Sequence, residues 1–499
     1  MPGTLADALG EAAHRSPERV LIVDGAHRLD CRTLHDLATG FAGALRDRMP
    51  AGSVVSFMLP NWYEAAVVYL GATLAGMVVN PILPSLRDHE LRFILGDAAS
   101  RMIVIPADFR GHDYPAMLDR VTRGTQTEVV VVRGGPGRHT AFDALLDRGA
   151  AAGLPTLDPA AVRMVMYTSG TTGRPKGVLH SHDSLGALIA QIGEHWYVEP
   201  GDTFLVPSPI AHIGGSIYAF ECPLLLGSSA VLMDRWDADD AVALMTAHRC
   251  THMAGATPFL EQLLAAADRA GTRLPDLKVF ICGGASVPPG LIRRATDHFE
   301  RAAVSRVYGS TEVPVTTVGA LGDPDRAADT DGRPGIADVR LVEGEIRVRG
   351  PQMLIGYRHP EDAHDAFDDD GYFRTGDLAR WDGEHLVVTG RVKDLIIRNG
   401  ENIAPKEVED LLVGELGIAE IAVVGVPDTR TGERACAVIV PAGADAPDVA
   451  DLARLLRDRG VASFKIPERV VVRDRLPRND AGKVLKHRIR EELMEGLVE

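Results

Sequence analysis

From Val54 to Val307, short apolar runs alternate with helical patterns, and this alternation restricts the fold more than any other feature of the sequence. Val54 to Leu59 reads as a strand, Glu64 to Met77 as a helix and Arg101 to Ile105 as another strand. That order builds a layered α/β domain around a largely parallel sheet. The rhythm continues in the strand-like runs Arg163 to Tyr167, Thr203 to Val206, Lys278 to Cys282 and Val304 to Val307. Each of these ends in glycine, proline or hydroxyl residues, and in open α/β sheets ligands gather beyond such carboxyl ends. Chemistry is expected at these exits.

Around Val339 to Arg349 the apolar period changes to two, with Glu343 and Gly344 as turn formers, which predicts antiparallel strands in a separate subdomain. A break near Gly390 is followed by a strand pair, Ile421 to Val426 and Cys436 to Val440. Next comes an amphipathic helix with Val449, Leu452, Leu455 and Leu456 on one face, then a basic tail from Arg473 to Arg490. A chain of 499 residues is too long for one hydrophobic core. The fold class predicted is α/β, with a large N-terminal domain of layered α/β subdomains and an antiparallel β subdomain, residues 1–390. A small α+β C-terminal domain follows, residues 391–499.

A hydrophobic fraction of 45% with 24% charged residues suits a folded globular chain, and a formal net charge of -16 argues against broad nucleic-acid or anionic-membrane binding. The five cysteines are far apart and form no CxxC pair, so neither a disulfide framework nor a zinc site is suggested. Met1 to His14 lacks a basic segment followed by an apolar run, and Ala65 to Val79 falls short of the ~20 apolar residues of a spanning helix. A cytoplasmic enzyme without a stable membrane anchor is expected. The acidic clusters Asp234 to Asp240 and Asp365 to Asp370 read as solvated faces or turns.

The most informative stretch runs from Tyr167 to Gly177, after an apolar strand and before the helical pattern near Asp183. Gly170, Gly173 and Gly177 allow tight turns, Thr168, Ser169, Thr171 and Thr172 offer donors, and Lys176 adds positive charge, which together suit a polyphosphate. The bland alternative is a flexible linker. Because Lys176 follows Pro175, the spacing is not that of the Walker-type phosphate loop. Tyr308 can stack on a purine; Glu312 can hold a hard cation with the hydroxyl of Thr172, or else serve a helix N-terminus. Asp377, acceptor-only when ionised, suits ribose hydroxyls, with turn formation after Gly376 as its alternative, and Arg391 can bond the sugar or a phosphate. Gly283, Gly284 and Ala285 permit close approach of a flat ligand. His212 reads as a packed or capped histidine that shapes a pocket beside Gly214 and Gly215, which leave space.

Tyr167 to Gly177 resembles the signature of the adenylate-forming (AMP-binding) superfamily, which includes acyl-CoA synthetases, peptide-synthetase adenylation domains and firefly luciferase. Further segments follow in the family's order. Tyr308-Gly309-Ser310-Thr311-Glu312 resembles its adenine and magnesium motif, Thr375 to Asp377 its ribose motif, Gly390 to Asp394 its hinge, and Gly482-Lys483 its mobile catalytic lysine. The resemblance runs from about Leu5 to Arg490. It implies an ATP- and magnesium-dependent acid–coenzyme A ligase whose C-terminal domain is mobile about Lys393. It also implies an acyl pocket at His212, Gly214 and Gly283, adenine and acyl group on either side of Gly283 to Ala285, and a thiol channel beside Gly400, Glu401 and Asn402. A carrier protein or amine as acceptor, an unusual oxyacid such as nitrite as substrate, and a non-catalytic nucleotide-binding regulator are the alternatives. The stretch Gly255 to Phe259 is similar to that of ligases for medium-length or alicyclic acids.

Overall fold

The computed structural model describes residues 3–146, 153–168, 174–284, 287–399, 401–428, 430–478 and 482–495. Among them, the alternation of apolar runs and helices resolves into two sheets. The first has the strand order Ala303–Arg306, Val279–Cys282, His252–Gly255, Thr203–Val206, Ser229–Leu232, Val20–Asp24, His27–Asp30, parallel except for the last pair. In the second, Val78–Pro81, Val54–Phe57, Met102–Pro106 and Glu128–Val132 are parallel neighbours, with Val162–Thr168 on their other edge. Met102–Pro106 is buried along its whole length, as a strand covered by helices on both faces requires.

The longest apolar stretch of the sequence supplies the helix Tyr63–Leu74, in which every residue after Tyr63 is buried. A helix that is hydrophobic all round belongs in a core, where burying each Val or Leu side chain contributes about 1.5–3 kcal/mol. No helix among the described residues is long and apolar enough to cross a membrane. The acidic run at Asp237 is an N-cap: its carboxylate accepts from the backbone of Asp239 and Asp240 at the start of Ala238–His248. The solvated turn expected at Asp365 to Asp370 is present, with Asp365, Asp369 and Asp370 exposed. Within it the Asp368 carboxylate, only 10% exposed, accepts from Arg340 at 2.7 Å and Arg347 at 3.0 Å, which outweigh its desolvation and hold its pKa well below the usual carboxylate range.

The turn at Glu343 and Gly344, both in the left-handed region, joins Asp338–Val342 to Glu345–Arg349, and Phe373–Asp382 and His385–Arg391 complete an antiparallel sheet. After Arg391 the chain makes a short 3-10 turn, Val392–Asp394, and enters another sheet at Ile396–Arg398. There the hairpin Ile418–Asp428 and Gly432–Pro441 is covered by Val449–Asp458, whose Leu452, Ala453 and Leu456 are buried. The large N-terminal and small C-terminal domains are thus distinct layered bodies. Several bases of the tail pair with acids of its own domain: Arg473 with Glu492, Arg478 with Glu420, Lys486 with Glu409 and Arg490 with Glu433.

The strand before the stretch and the helix expected near Asp183 are both present, but a strand the sequence did not announce, Lys176–Ser181, comes between them, antiparallel to Val162–Thr168 with Thr168 opposite Lys176. The helix His182–His195 begins only after Ser181, whose side chain accepts from the backbone of Ser184. Thr168 and Lys176 therefore face each other on paired strands, and the helix that follows starts six residues after Lys176. Val178, with its β-branched side chain, is buried in this strand, and so is His180, which ties it inward.

Candidate active site

The parallel strands of the first sheet deliver Gly283, Gly284 and Tyr308 to Glu312 to one edge. Val279–Cys282 ends in Gly283 and Gly284; a Cβ on Gly283 would stand 3.0 Å from Val307, while Gly284 has φ +81° and open space beside it. Ala303–Arg306 runs into Tyr308 to Glu312, where a Cβ on Gly309 would meet the backbone nitrogen of Val315 at 2.6 Å. That turn closes only with glycine.

Across this edge stands the antiparallel sheet, whose register sets Asp377 opposite Arg391. The Tyr308 hydroxyl donates to Asp377 Oδ2 at 2.7 Å, and Arg391 Nε pairs with Asp377 Oδ1 at 2.8 Å. Asp377 is buried, and each of its oxygens keeps a second lone pair. Burial also raises the Tyr308 pKa well above its ordinary value, so the hydroxyl stays a donor.

Lys483 comes to the same place from the small domain. Gly482 packs against Pro258 of the large domain, a Cβ there falling 3.7 Å from the proline ring. Burial first, and then Arg391 and Lys393, lower the Lys483 pKa to about 8 against the opposing pull of Asp377 and Asp394. An ammonium this far desolvated between fixed charges resembles the perturbed groups of catalytic sites.

Glu312 and Lys176 meet through Tyr357. The Tyr357 hydroxyl donates to Glu312 Oε1 at 3.3 Å, and Lys176 Nζ sits 5.4 Å from the centre of the Tyr357 ring. Leu354 N–H donates to the Glu312 carbonyl at 2.7 Å, and His180 Nε2 bonds the Thr311 carbonyl at 2.8 Å. Ser310 Oγ accepts from Val313 N–H. Among the described residues no group of three or more His, Cys, Asp or Glu could cage a metal. The hard oxygens of Glu312 suit magnesium, which takes one or two carboxylates together with substrate phosphates. Sequence reasoning missed Tyr357, Asp362 and His180; the only signal for Tyr357 was its place after the apolar Met353 to Ile355.

On the acyl side, His212 is the N-cap of a short helix, Ile213–Ser216, that continues through a π turn, Ile217–Glu221, into Cys222–Leu225. A Cβ on Gly214 would meet nothing within 4 Å, whereas one on Gly215 would stand 2.1 Å from the Pro209 carbonyl oxygen. Of the two glycines, Gly214 alone leaves space; Gly215 is required by backbone contact. Gly255 is packed against Phe259, itself against Trp236. Lys393 sits in the 3-10 turn between the domains, and Glu401 and Asn402 lie on the strand Glu401–Ile403. Ser169, Gly170, Thr171, Thr172, Gly173, Ala285 and Gly400 lie outside the described residues.

The model of the family described as AMP-binding enzyme matches residues 9–358, and that of the AMP-binding enzyme C-terminal domain matches residues 407–483. The chain is 32% identical over 531 aligned positions to the medium-chain fatty-acid–CoA ligase of Escherichia coli (strain K12), covering 99% of this chain and 91% of that one. It is 36% identical to a 7a-methyl-1,5-dioxo-octahydro-1H-inden-4-yl propanoyl:CoA ligase of Rhodococcus jostii (strain RHA1), covering 98% and 99%. Among solved structures, ATP-bound MatB from Rhodopseudomonas palustris superposes with a TM-score of 0.87 at 29% identity, covering 99% of both chains. Fold, site and likeness together define an adenylate-forming enzyme. The chain belongs to the AMP-binding enzyme family, in its acyl-CoA ligase branch.

Proposed function

We propose that one site of this enzyme serves two reactions in turn, as residues 391–499 rotate about Lys393 against residues 1–390. The enzyme is an ATP-dependent acid–coenzyme A ligase: a carboxylic acid and ATP give acyl-AMP and pyrophosphate, and the acyl group then passes to the thiol of coenzyme A. The observation that carries the two-step reading is Lys483 of the small domain, half-buried within reach of the charges of Asp377 in the large domain and of Arg391 at the junction.

In the first arrangement the Lys483 ammonium bridges the acid's carboxylate and the α-phosphate. The carboxylate is already a nucleophile; alignment with phosphorus and stabilisation of developing charge are what the protein adds. Asp377 receives the ribose hydroxyls, Arg391 steadies Asp377 and the α-phosphate, and Tyr308 to Thr311 with Gly283 to Ala285 hold adenine. Thr168 to Gly173 and Lys176 take the β- and γ-phosphates. Glu312 and Thr172 are the residues that would hold magnesium, which would supply neutralisation of phosphate charge. In the second arrangement Lys483 withdraws, and Gly400, Glu401 and Asn402 line the way in for the thiol, which attacks the acyl carbon and expels AMP. His212 and Gly214 shape the acyl pocket. The relatives' named substrates and the packed Gly255–Phe259 wall support an apolar acid of medium length or with an alicyclic ring. Such use of ATP and coenzyme A fits a cytoplasmic enzyme.

Pyrophosphate release across a panel of acids, with and without coenzyme A, tests this reading. Acid-dependent release with thioester formation supports it; nucleotide binding without release would indicate a regulator, and release followed by transfer only to an amine or carrier protein would change the acceptor. Glu312→Gln, which removes charge and keeps shape, should raise the magnesium requirement more than it alters acid affinity; unchanged magnesium dependence would return Glu312 to a structural role.

The hinge has its own test. Lys393 lies in a 3-10 turn, whose φ near -60° is close to that of proline. Lys393→Pro should retain adenylation and lower transfer to the thiol several-fold, because the ring restricts the torsion change that rotation needs. Equal losses in both half-reactions with a lowered melting temperature would sink the hinge assignment.

A further inference from the structure

Asp362 sits in the 3-10 turn Pro360–Ala363, just after the Tyr357 strand, with a side chain only 6% exposed. Arg174 Nη2 donates to its Oδ1 at 2.8 Å. Lys176 Nζ stands 3.9 Å from the same oxygen and donates to the Asp362 carbonyl at 3.4 Å. Oδ2 is buried and accepts no hydrogen bond among the described residues. Two cations thus stand beside a carboxylate taken almost wholly out of water. Both belong to the Tyr167 to Gly177 stretch assigned above to the phosphates. The turn holding Asp362 is itself fixed: Arg358 N–H donates to the Gly177 carbonyl at 2.8 Å and His359 Nε2 bonds Asp97 Oδ1 at 2.6 Å. Asp97 Oδ2 accepts from the Tyr167 hydroxyl, also at 2.6 Å, so both ends of the hairpin are tied to this one segment.

We propose that Asp362 is an internal counter-ion to Arg174 and Lys176 that competes with the β- and γ-phosphates for them. The inference rests on the ligase reading, which places polyphosphate at this hairpin. The carboxylate partly neutralises Arg174 and Lys176 and repels a polyanion drawn to them. Asp362 therefore weakens the hold on phosphate. Its benefit appears after the first reaction: pyrophosphate meets a competing anion already in place and leaves, instead of remaining on two unpaired cations. Asp362 is a positioning residue, acting through Arg174 and Lys176 without touching the reacting atoms.

Calorimetric titration of inorganic pyrophosphate with magnesium into the full-length enzyme tests the role. Asp362→Asn should bind pyrophosphate about tenfold more tightly than wild type. Asp362→Glu, which restores the charge, should return affinity to within a few-fold of wild type. In an Arg174→Gln, Lys176→Gln background the gain from Asp362→Asn should vanish, which a merely structural role for Asp362 would not predict. Asp362→Ser decides the question if the asparagine variant does not fold. Pyrophosphate affinity unchanged or weakened by loss of the charge would overturn the counter-ion role while leaving the ligase reading intact. A wild-type enzyme that binds neither pyrophosphate nor ATP would instead sink the reading on which the role depends.

Discussion

Lys483→Ala should slow acyl-AMP formation by about a hundredfold while leaving thioester formation from supplied acyl-AMP largely intact. Removing one well-placed charged contact to a developing transition state costs about 3 kcal/mol, and each 1.4 kcal/mol is about tenfold in rate. The position supports a loss of that size. Lys483 is half-buried among the charges of Arg391 and Asp377, so water replaces its ammonium only in part when the side chain is truncated. The second half-reaction is spared because it proceeds with the small domain turned and Lys483 withdrawn. The two half-reactions must therefore be measured separately: formation by pyrophosphate exchange, transfer by release of AMP from synthetic acyl-AMP. Equal loss in both would contradict domain alternation, and loss confined to transfer would reverse the assignment of Lys483.

What the sequence revealed and what it hid have a common physical cause. Strands such as Thr203–Val206 and the helix Val449–Asp458 were legible because their signal is local: an apolar run in one, an apolar face in the other. Tyr308, Asp377 and Arg391 were legible as motifs, and the register of the antiparallel sheet brings two of them opposite each other. The strand Lys176–Ser181 was not, since glycine, lysine, histidine and serine give it little intrinsic β character, and it forms because Val162–Thr168 and Gly356–Tyr357 supply partners on either side. Asp362, Tyr357 and Asp97 escaped for the same reason. Asp362 acts on Arg174 across 188 residues and Tyr357 on Glu312 across 45, and no spacing in the chain announces either contact. Local pattern thus located the exits where chemistry occurs. Long-range packing decided which charges face one another there.

The pH dependence of adenylation follows from the same placement of Lys483. Burial, assisted by Arg391 and Lys393, lowers its pKa to about 8, so the ammonium is intact below that value and lost as pH rises through it. Only the charged form can bridge carboxylate and phosphate. Adenylation kcat/KM, which reports the free enzyme, should therefore be level up to about pH 8 and then fall by about tenfold for each further pH unit. The bound nucleotide adds negative charge beside the ammonium, which favours protonation, so the fall in kcat should lie at higher pH than the fall in kcat/KM. Overall thioester synthesis would hide the effect, because the coenzyme A thiol ionises, and reacts faster, over the same range. Pyrophosphate exchange without coenzyme A avoids this. Lys483→Arg, whose guanidinium stays protonated to above pH 12, should lower the rate but remove the alkaline fall. Lys483→Ala should leave only its small residual rate without that inflection. If the wild-type inflection survived in both variants, the group titrating near pH 8 would be another residue, and the bridging ammonium would have to be sought elsewhere.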